Sequence, residues 1–514
     1  MKNVIGLAAI LLAVAAPPVL AQKSSPADLV KQAVAAEGGA DKLRALKRLS
    51  ITAEETLWEP EQSMVADGPP RPLGRSNISI RWDLEHGMER ADIDHTILYF
   101  LAGQEKYSEI VTPAMGAVVT DKGQRAMSGA RLAFDLRELE RASPLLLLSA
   151  MDQPKNVSAM PDQKLGKASL PAVAFADGGT KFIILFDRKS HLPAAIRTLE
   201  DDLVHGDGHY DMALAEWKDV GGVKIAHSLH YTFNGLDKLK VTYTQASANP
   251  ALPGDSFAID DAVKQAAKGP RSGDLPWQEI LGQQSFGRFD DLQAEKNEQA
   301  GMVMKLNELS PNIQHARGRS HNSLIVAMPT YLVVFDSPLS EAQSRWTIDA
   351  AKAKYPGKPV KYLVLTHHHM DHIGGMRTYV AEGATIIVGK PDKAHIQRVA
   401  AAPHTMHPDE LQKHPRHASV VEVGDRMALK DGGREIDIFR IANPHAEGML
   451  IGFVKPEKLV WVTDLYSPGQ KVKTDQAAEF YATVKKLGIA PEWYAGGHGG
   501  SGKQADFDAL MATK

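Results

Sequence analysis

The sequence predicts an α+β chain of two domains: a mainly antiparallel β domain carrying a helix, then a domain of mixed strands and helices. Three observations lead there. At 514 residues the chain exceeds what one hydrophobic core usually organises. Its first half runs in short alternating segments split by Gly, Asp and Asn, the pattern of half-buried strands joined by turns. Its second half mixes apolar strand-like runs with helical turns and few long helices, which suggests two sheets with helices packed outside them.

Residues 1–21 read as a leader. Lys2 precedes an apolar run from Val4 to Ala16, a Pro17-Pro18 break and then Val19-Leu20-Ala21, the order of an export signal cleaved near Ala21. The run is shorter than the ~20 residues that span a bilayer, so no transmembrane anchor is expected after cleavage, and the expected location is periplasmic or secreted. The first domain is placed at 22–262. It opens with a helix over Pro26 to Leu46, and strands follow from Leu49, including Asn77 to Trp82 and Thr96 to Phe100. Leu132, Leu136, Leu139 and Leu145 to Leu148 give an apolar face to a helix over Arg131 to Met151. Strands resume at Lys181 to Phe186, Ala213 to Trp217, Leu229 to Phe233 and Lys238 to Gln245.

Between Asp260 and Pro276 the chain becomes rich in Ala, Lys, Gly, Pro and Ser, which places a linker at 263–279 and the second domain at 280–514. There, Ser323 to Met328 and Thr330 to Phe335 read as a hairpin, Val360 to Thr366 as a buried strand, Met376 to Ala381 as a helical turn and Ala384 to Val388 as a strand. Further apolar runs lie at Ile436 to Ile441, Gly448 to Val454 and Leu459 to Val462.

Composition narrows the chemistry. A formal net charge of -3 offers no general attraction for a polyanion, so no nucleic-acid partner is expected. The chain has no cysteine. It therefore forms no disulfide, and no thiolate serves as nucleophile or metal ligand. Any metal must be held by nitrogen and oxygen.

Such donors cluster in Leu363-Val364-Leu365-Thr366-His367-His368-His369-Met370-Asp371-His372-Ile373-Gly374-Gly375. A strand ends at Thr366, and in extended chain beyond it residues two apart project the same way. His367 and His369 can hold one metal together. The turn toward a helix then sets Asp371 and His372 beside a second, with Gly374 and Gly375 allowing that helix to pack closely against the sheet. Three loop residues downstream, His445, Asp464 and His498, enlarge the set enough for two cations. Imidazole and carboxylate suit Zn²⁺, with Fe or Mn admissible by the same rules.

These residues resemble the metallo-β-lactamase superfamily, whose signature is His-x-His-x-Asp-His followed by a His, an Asp and a His. The resemblance covers roughly residues 280 to 510 and implies an αββα sandwich with metals between loops at one edge. It also implies a ligand set: His367, His369 and His445 on the first metal, Asp371, His372 and His498 on the second, and Asp464 between them. The rhythm of Asp187 to Phe233 is similar to that of lipoprotein-carrier periplasmic domains. That likeness implies a cradle for an apolar ligand, against the plainer reading of a structural cap or protein-docking module.

Around the site, Asp336 stands where the family has an Asp supporting the ligand loop, with Ser337-Pro338 in place of the usual Thr-Gly. His321 and Asn322 could line the site, and Tyr466 could donate to a substrate oxygen. The run from His404 to His417 is expected to be a solvated surface segment. The expected activity is hydrolysis of a small-molecule ester, thioester, lactone or amide, β-lactams included, with Asp371 orienting the attacking water and taking its proton. Two alternatives have other chemistry: iron-dependent dioxygenation of a sulfur compound, and a non-catalytic envelope binding protein. Oxygen-reducing iron members of the family carry a carboxylate where His369 stands.

Overall fold

The computed structural model describes residues 25–98, 102–266, 304–318 and 320–513. The leader, most of the expected linker and the end of the Thr96 to Phe100 strand lie outside them.

The N-terminal domain is built on an antiparallel sheet of thirteen strands, with a separate two-stranded ribbon, Gln163–Leu165 against Ala168–Leu170. Its first strand, Arg48–Glu59, pairs with Arg71–Asp83 on one side and with the last, Leu236–Ala248, on the other. The expected helices each form in two pieces. Pro26–Ala36 is separated from Ala40–Ala45 by Gly38 and Gly39, both at positive φ, and Gly129–Ala142 is separated from Leu146–Asp152 by Pro144. Phe134, Leu146 and Leu147 press on Trp82, Phe175, Phe182, Tyr210 and Tyr231 of the sheet, which makes the domain's core.

The C-terminal domain layers helix, sheet, sheet and helix. One sheet has seven strands and the other six. In the first, Asn322–Ala327 and Leu332–Phe335 form the expected hairpin, and Val360–Val364, Thr385–Gly389 and Val420–Val423 add in parallel. Strand alternation builds the layers. In Leu332–Phe335, Val333 and Phe335 face Ile436, Ile438, Leu450 and Trp461 of the second sheet, whereas Leu332 and Val334 face the helices Glu341–Lys354 and Met376–Glu382. Behind the second sheet, Asp475–Lys486 and Gln504–Ala512 cover Val460, Val462 and Tyr494.

The two domains are packed on each other. Between strands Pro193–Asp202 and Gly206–Val220 the chain reaches out as a hairpin tip, and Val204, 1% exposed, joins the C-terminal core beside Ile396, Val399 and Leu411. Asp207 accepts from the amides of Thr405 and Met406, and the Asp207 amide donates to the Pro403 carbonyl at 2.7 Å. The expectation that His404 to His417 is solvated therefore needs correcting at His404 and at Leu411, which packs in the C-terminal core. His404 is buried, with Nδ1 2.8 Å from Asp201, in the strand that leads to that tip. His407, His414 and His417 are exposed.

Candidate metal centre

The strands Val360–Val364, Leu459–Val462 and Trp493–Gly496 all deliver loops from their C-terminal ends to one edge of the sandwich. The first loop is anchored by Asp336, fully buried at the end of its own strand. Its Oδ1 accepts from the Thr366 amide and hydroxyl, both at 2.8 Å, and its Oδ2 faces Trp461 Nε1 at 3.3 Å and His372 Nδ1 at 3.5 Å. Asp336 and Asp464 both sit at positive φ, near 59° and 58°, a region Asp tolerates better than most residues. Gly374 and Gly375 permit a close approach, though to a different neighbour than expected: a Cβ on Gly375 would lie 2.0 Å from Ser344 Oγ and 2.5 Å from the Ser340 carbonyl, at the start of a helix rather than against the sheet.

Two donor groups result. His367, His369 and His445 form the first, with His367 and His445 Nε2 atoms 3.3 Å apart. His321, Asp371, His372 and His498 form the second. In each group the candidate ligand atoms lie within 4.8 Å of one another. Asp464 stands between them: its Oδ2 is 3.1 Å from His367, 3.0 Å from His372 and 3.3 Å from His445, all at Nε2, and its Oδ1 is 2.5 Å from His498 Nε2. The seven residues singled out in the sequence are thus together at one place, and His321 joins them.

Burial and charge make the arrangement suited to cations. His367, His369 and His372 are at most 1% exposed. Burial, aided by the neighbouring His372, pushes His367 down to about 3, and burial with His367 and His445 holds His369 well below the usual range. Both rings are neutral donors. Burial works against charge on His372, Asp371 and Asp464 too, but their mutual attraction wins: His372 is held well above the usual imidazole range, and both carboxyls well below theirs. Asp464 Oδ2 and both His372 ring nitrogens are buried without a well-directed hydrogen bond. Buried polar atoms left so are costly unless something completes them. Nitrogen and oxygen donors converging at these separations fit two divalent cations.

Other residues fall differently. Tyr466 is 2% exposed, its ring stacked on Phe507 at 3.8 Å, so core packing accounts for it rather than substrate contact. His368 points away from both groups, its Nδ1 3.2 Å from Asp392. Sequence reasoning missed Gln62 and Ser63 altogether. They come from the N-terminal domain, where Gln62 Nε2 donates to Asp371 Oδ1 at 2.7 Å and the Ser63 carbonyl accepts from His368 and His369 Nε2 at 3.0 and 2.9 Å. No local pattern marks them, because only the docking of the domains brings them there.

Residues 316–501 match the family model described as the metallo-beta-lactamase superfamily. Among solved structures, the metallo-beta-lactamase from Pontibacter korlensis is 14% identical and aligns over 41% of this chain and 100% of its own, with a TM-score of 0.32. That from Hirschia baltica is 14% identical over 40% of this chain and 95% of its own, TM-score 0.32. The rubredoxin:oxygen oxidoreductase from the anaerobe Desulfovibrio gigas is 15% identical over 40% of this chain and 59% of its own, TM-score 0.31. No curated protein sequence matches the chain.

Proposed function

We propose that this metallo-beta-lactamase superfamily domain is a two-metal hydrolytic centre, with zinc as the ion its donors suit, acting on a small-molecule ester, thioester, lactone or amide beyond the cytoplasmic membrane. The observation that carries the reading is Asp464: one buried carboxylate shared by two separate donor groups is the arrangement that two neighbouring cations require. Two such cations, when bound, lower the pKa of a water from 15.7 to about 7 and polarise the substrate oxygen.

The chain's own residues do the rest. His367, His369 and His445 hold one position and Asp371, His372 and His498 the other, with Asp464 fixing their spacing. Thr366 and Asp336 keep the ligand loop at the strand end. Asp371, held well below the usual carboxylate range, is ionised at neutral pH and is assigned to orient the attacking water, a task that such a weakly basic carboxylate serves better than taking up the proton. No serine or cysteine nucleophile is needed. The leader at residues 1–21 supports export, and β-lactams are among the amides such a location would offer.

Metal analysis of the purified chain, together with chromogenic ester, lactone, thioester and cephalosporin substrates and a chelator control, tests this. Two zinc ions per chain and chelator-sensitive turnover are expected, and His367→Ala should lose both metal and turnover. Iron with sulfite production from a sulfur compound would replace the hydrolase reading by the dioxygenase one. Turnover retained in His367→Ala would reject the site.

A further inference from the structure

The loop between strands Arg48–Glu59 and Arg71–Asp83 belongs to the N-terminal domain by sequence and to the metal centre by contact. It is pinned at both ends. Glu61, at φ 56°, pairs with His205 of the docked hairpin tip, and Asp67, at φ 59°, meets Arg398 and His395 Nδ1, the latter at 2.8 Å. Between the pins, Gln62 and Ser63 are 3% and 6% exposed and face the ligand loop. The Met64 carbonyl accepts from the Glu447 amide at 2.8 Å, two residues past His445.

We infer that this loop is a wall of the metal centre, in which the Gln62 amide is a positioning group for Asp371 and the Ser63 carbonyl a positioning group for His369. The inference rests on the two-cation reading and deepens it. A neutral imidazole carries one N–H. Because Nε2 of His369 donates to the Ser63 carbonyl, its proton is on Nε2, and Nδ1 is left as the lone pair for a cation. Likewise the Gln62 amide takes one lone pair of Asp371 Oδ1, which fixes the carboxylate plane and turns Oδ2 toward His321, at 3.0 Å, and His372, at 3.6 Å. Oriented ligands bind more tightly than free-swinging ones, because less rotational freedom is lost on binding. The N-terminal domain thereby gains a role that an apolar cradle or a passive cap does not supply.

Zinc affinity of the full chain, measured by competition with a chromophoric chelator, tests this in three variants. Gln62→Ala removes donor and volume, Gln62→Met keeps the volume but not the donor, and Met64→Ala changes an exposed side chain of the same loop. Gln62→Ala and Gln62→Met are expected to weaken one of the two zinc ions by about 10–100-fold, the usual effect of losing a partner that orients a ligand. Their melting temperatures in chelator should stay at the wild-type value, and Met64→Ala should bind both ions normally. If Gln62→Met binds both ions within twofold of wild type, the amide positions nothing and the inference fails. A wild-type chain that binds fewer than two ions overturns the two-cation reading instead, before any variant is compared.

Discussion

Asp464→Asn offers the sharpest test of a shared carboxylate, because the change keeps shape and removes one charge from two sites at once. The Asp464 oxygens lie 2.5–3.3 Å from four imidazole nitrogens in both donor groups. At free zinc of 100 times the dissociation constant, each site stabilises the fold by about 2.7 kcal/mol, so two give about 5 kcal/mol. For a domain of this size that is a rise of roughly 10–20 °C in Tm over the chelated protein. A unit charge about 4 Å away is worth about 4 kcal/mol even at an effective dielectric of 20, so a 100-fold loss per site is a modest expectation for Asn. Each site would then stand at its dissociation constant, contributing only about 0.4 kcal/mol. The metal-dependent rise should shrink to about 2–3 °C. Differential scanning fluorimetry, with each protein compared with its own chelated form, reads this directly. An Asn variant whose rise equals that of wild type would show that Asp464 holds neither cation.

Three further outcomes are expected. Val204→Asp puts a charge where a side chain 1% exposed fills the C-terminal core; losing that burial alone costs about 1.5–3 kcal/mol, and limited proteolysis should cut the variant near residues 203–206 well before wild type. The Glu61–His205 pair gives loop docking a pH window. Burial lowers His205, but the Glu61 carboxylate against it outweighs this and lifts it to about 9, with Asp202 adding to the rise and Lys238 opposing it; Glu61 is correspondingly lowered from 4.5. A raised histidine contributes stability that is fully present below about 6.5 and is lost as pH climbs through about 9, so Tm should fall between pH 7 and 10 more in wild type than in His205→Gln. Tyr466→Phe should leave KM and kcat within twofold, since the ring stacks in the core; a KM raised tenfold would restore the tyrosine to the substrate site.

Much of the centre was legible in the chain because its chemistry is local. His367, His369, Asp371 and His372 fall within six residues after a strand, and a period of two with a following turn already sets them around two points. The strands were legible for a similar reason, since those buried on both faces read as unbroken apolar runs, as in Leu332–Phe335 and Leu459–Val462. Helix Glu341–Lys354 escaped notice because most of what it buries is polar: Gln343, Ser344 and Thr347 lie inward with Ile348 and Ala351, so hydropathy shows no stripe.

What sequence alone determined is the donor set, its nitrogen and oxygen character in a chain without cysteine, and the two-sheet scaffold that ends in loops. Only tertiary structure decided that His321 joins the second group, that Tyr466 and His404 are packed inside, and that Gln62 and Ser63 reach the donor groups from the other domain. The reason is distance along the chain: Gln62 and Asp371 are 309 residues apart. Residue pattern reports neighbours within a few turns or strands, whereas a contact between domains depends on how two finished surfaces fit.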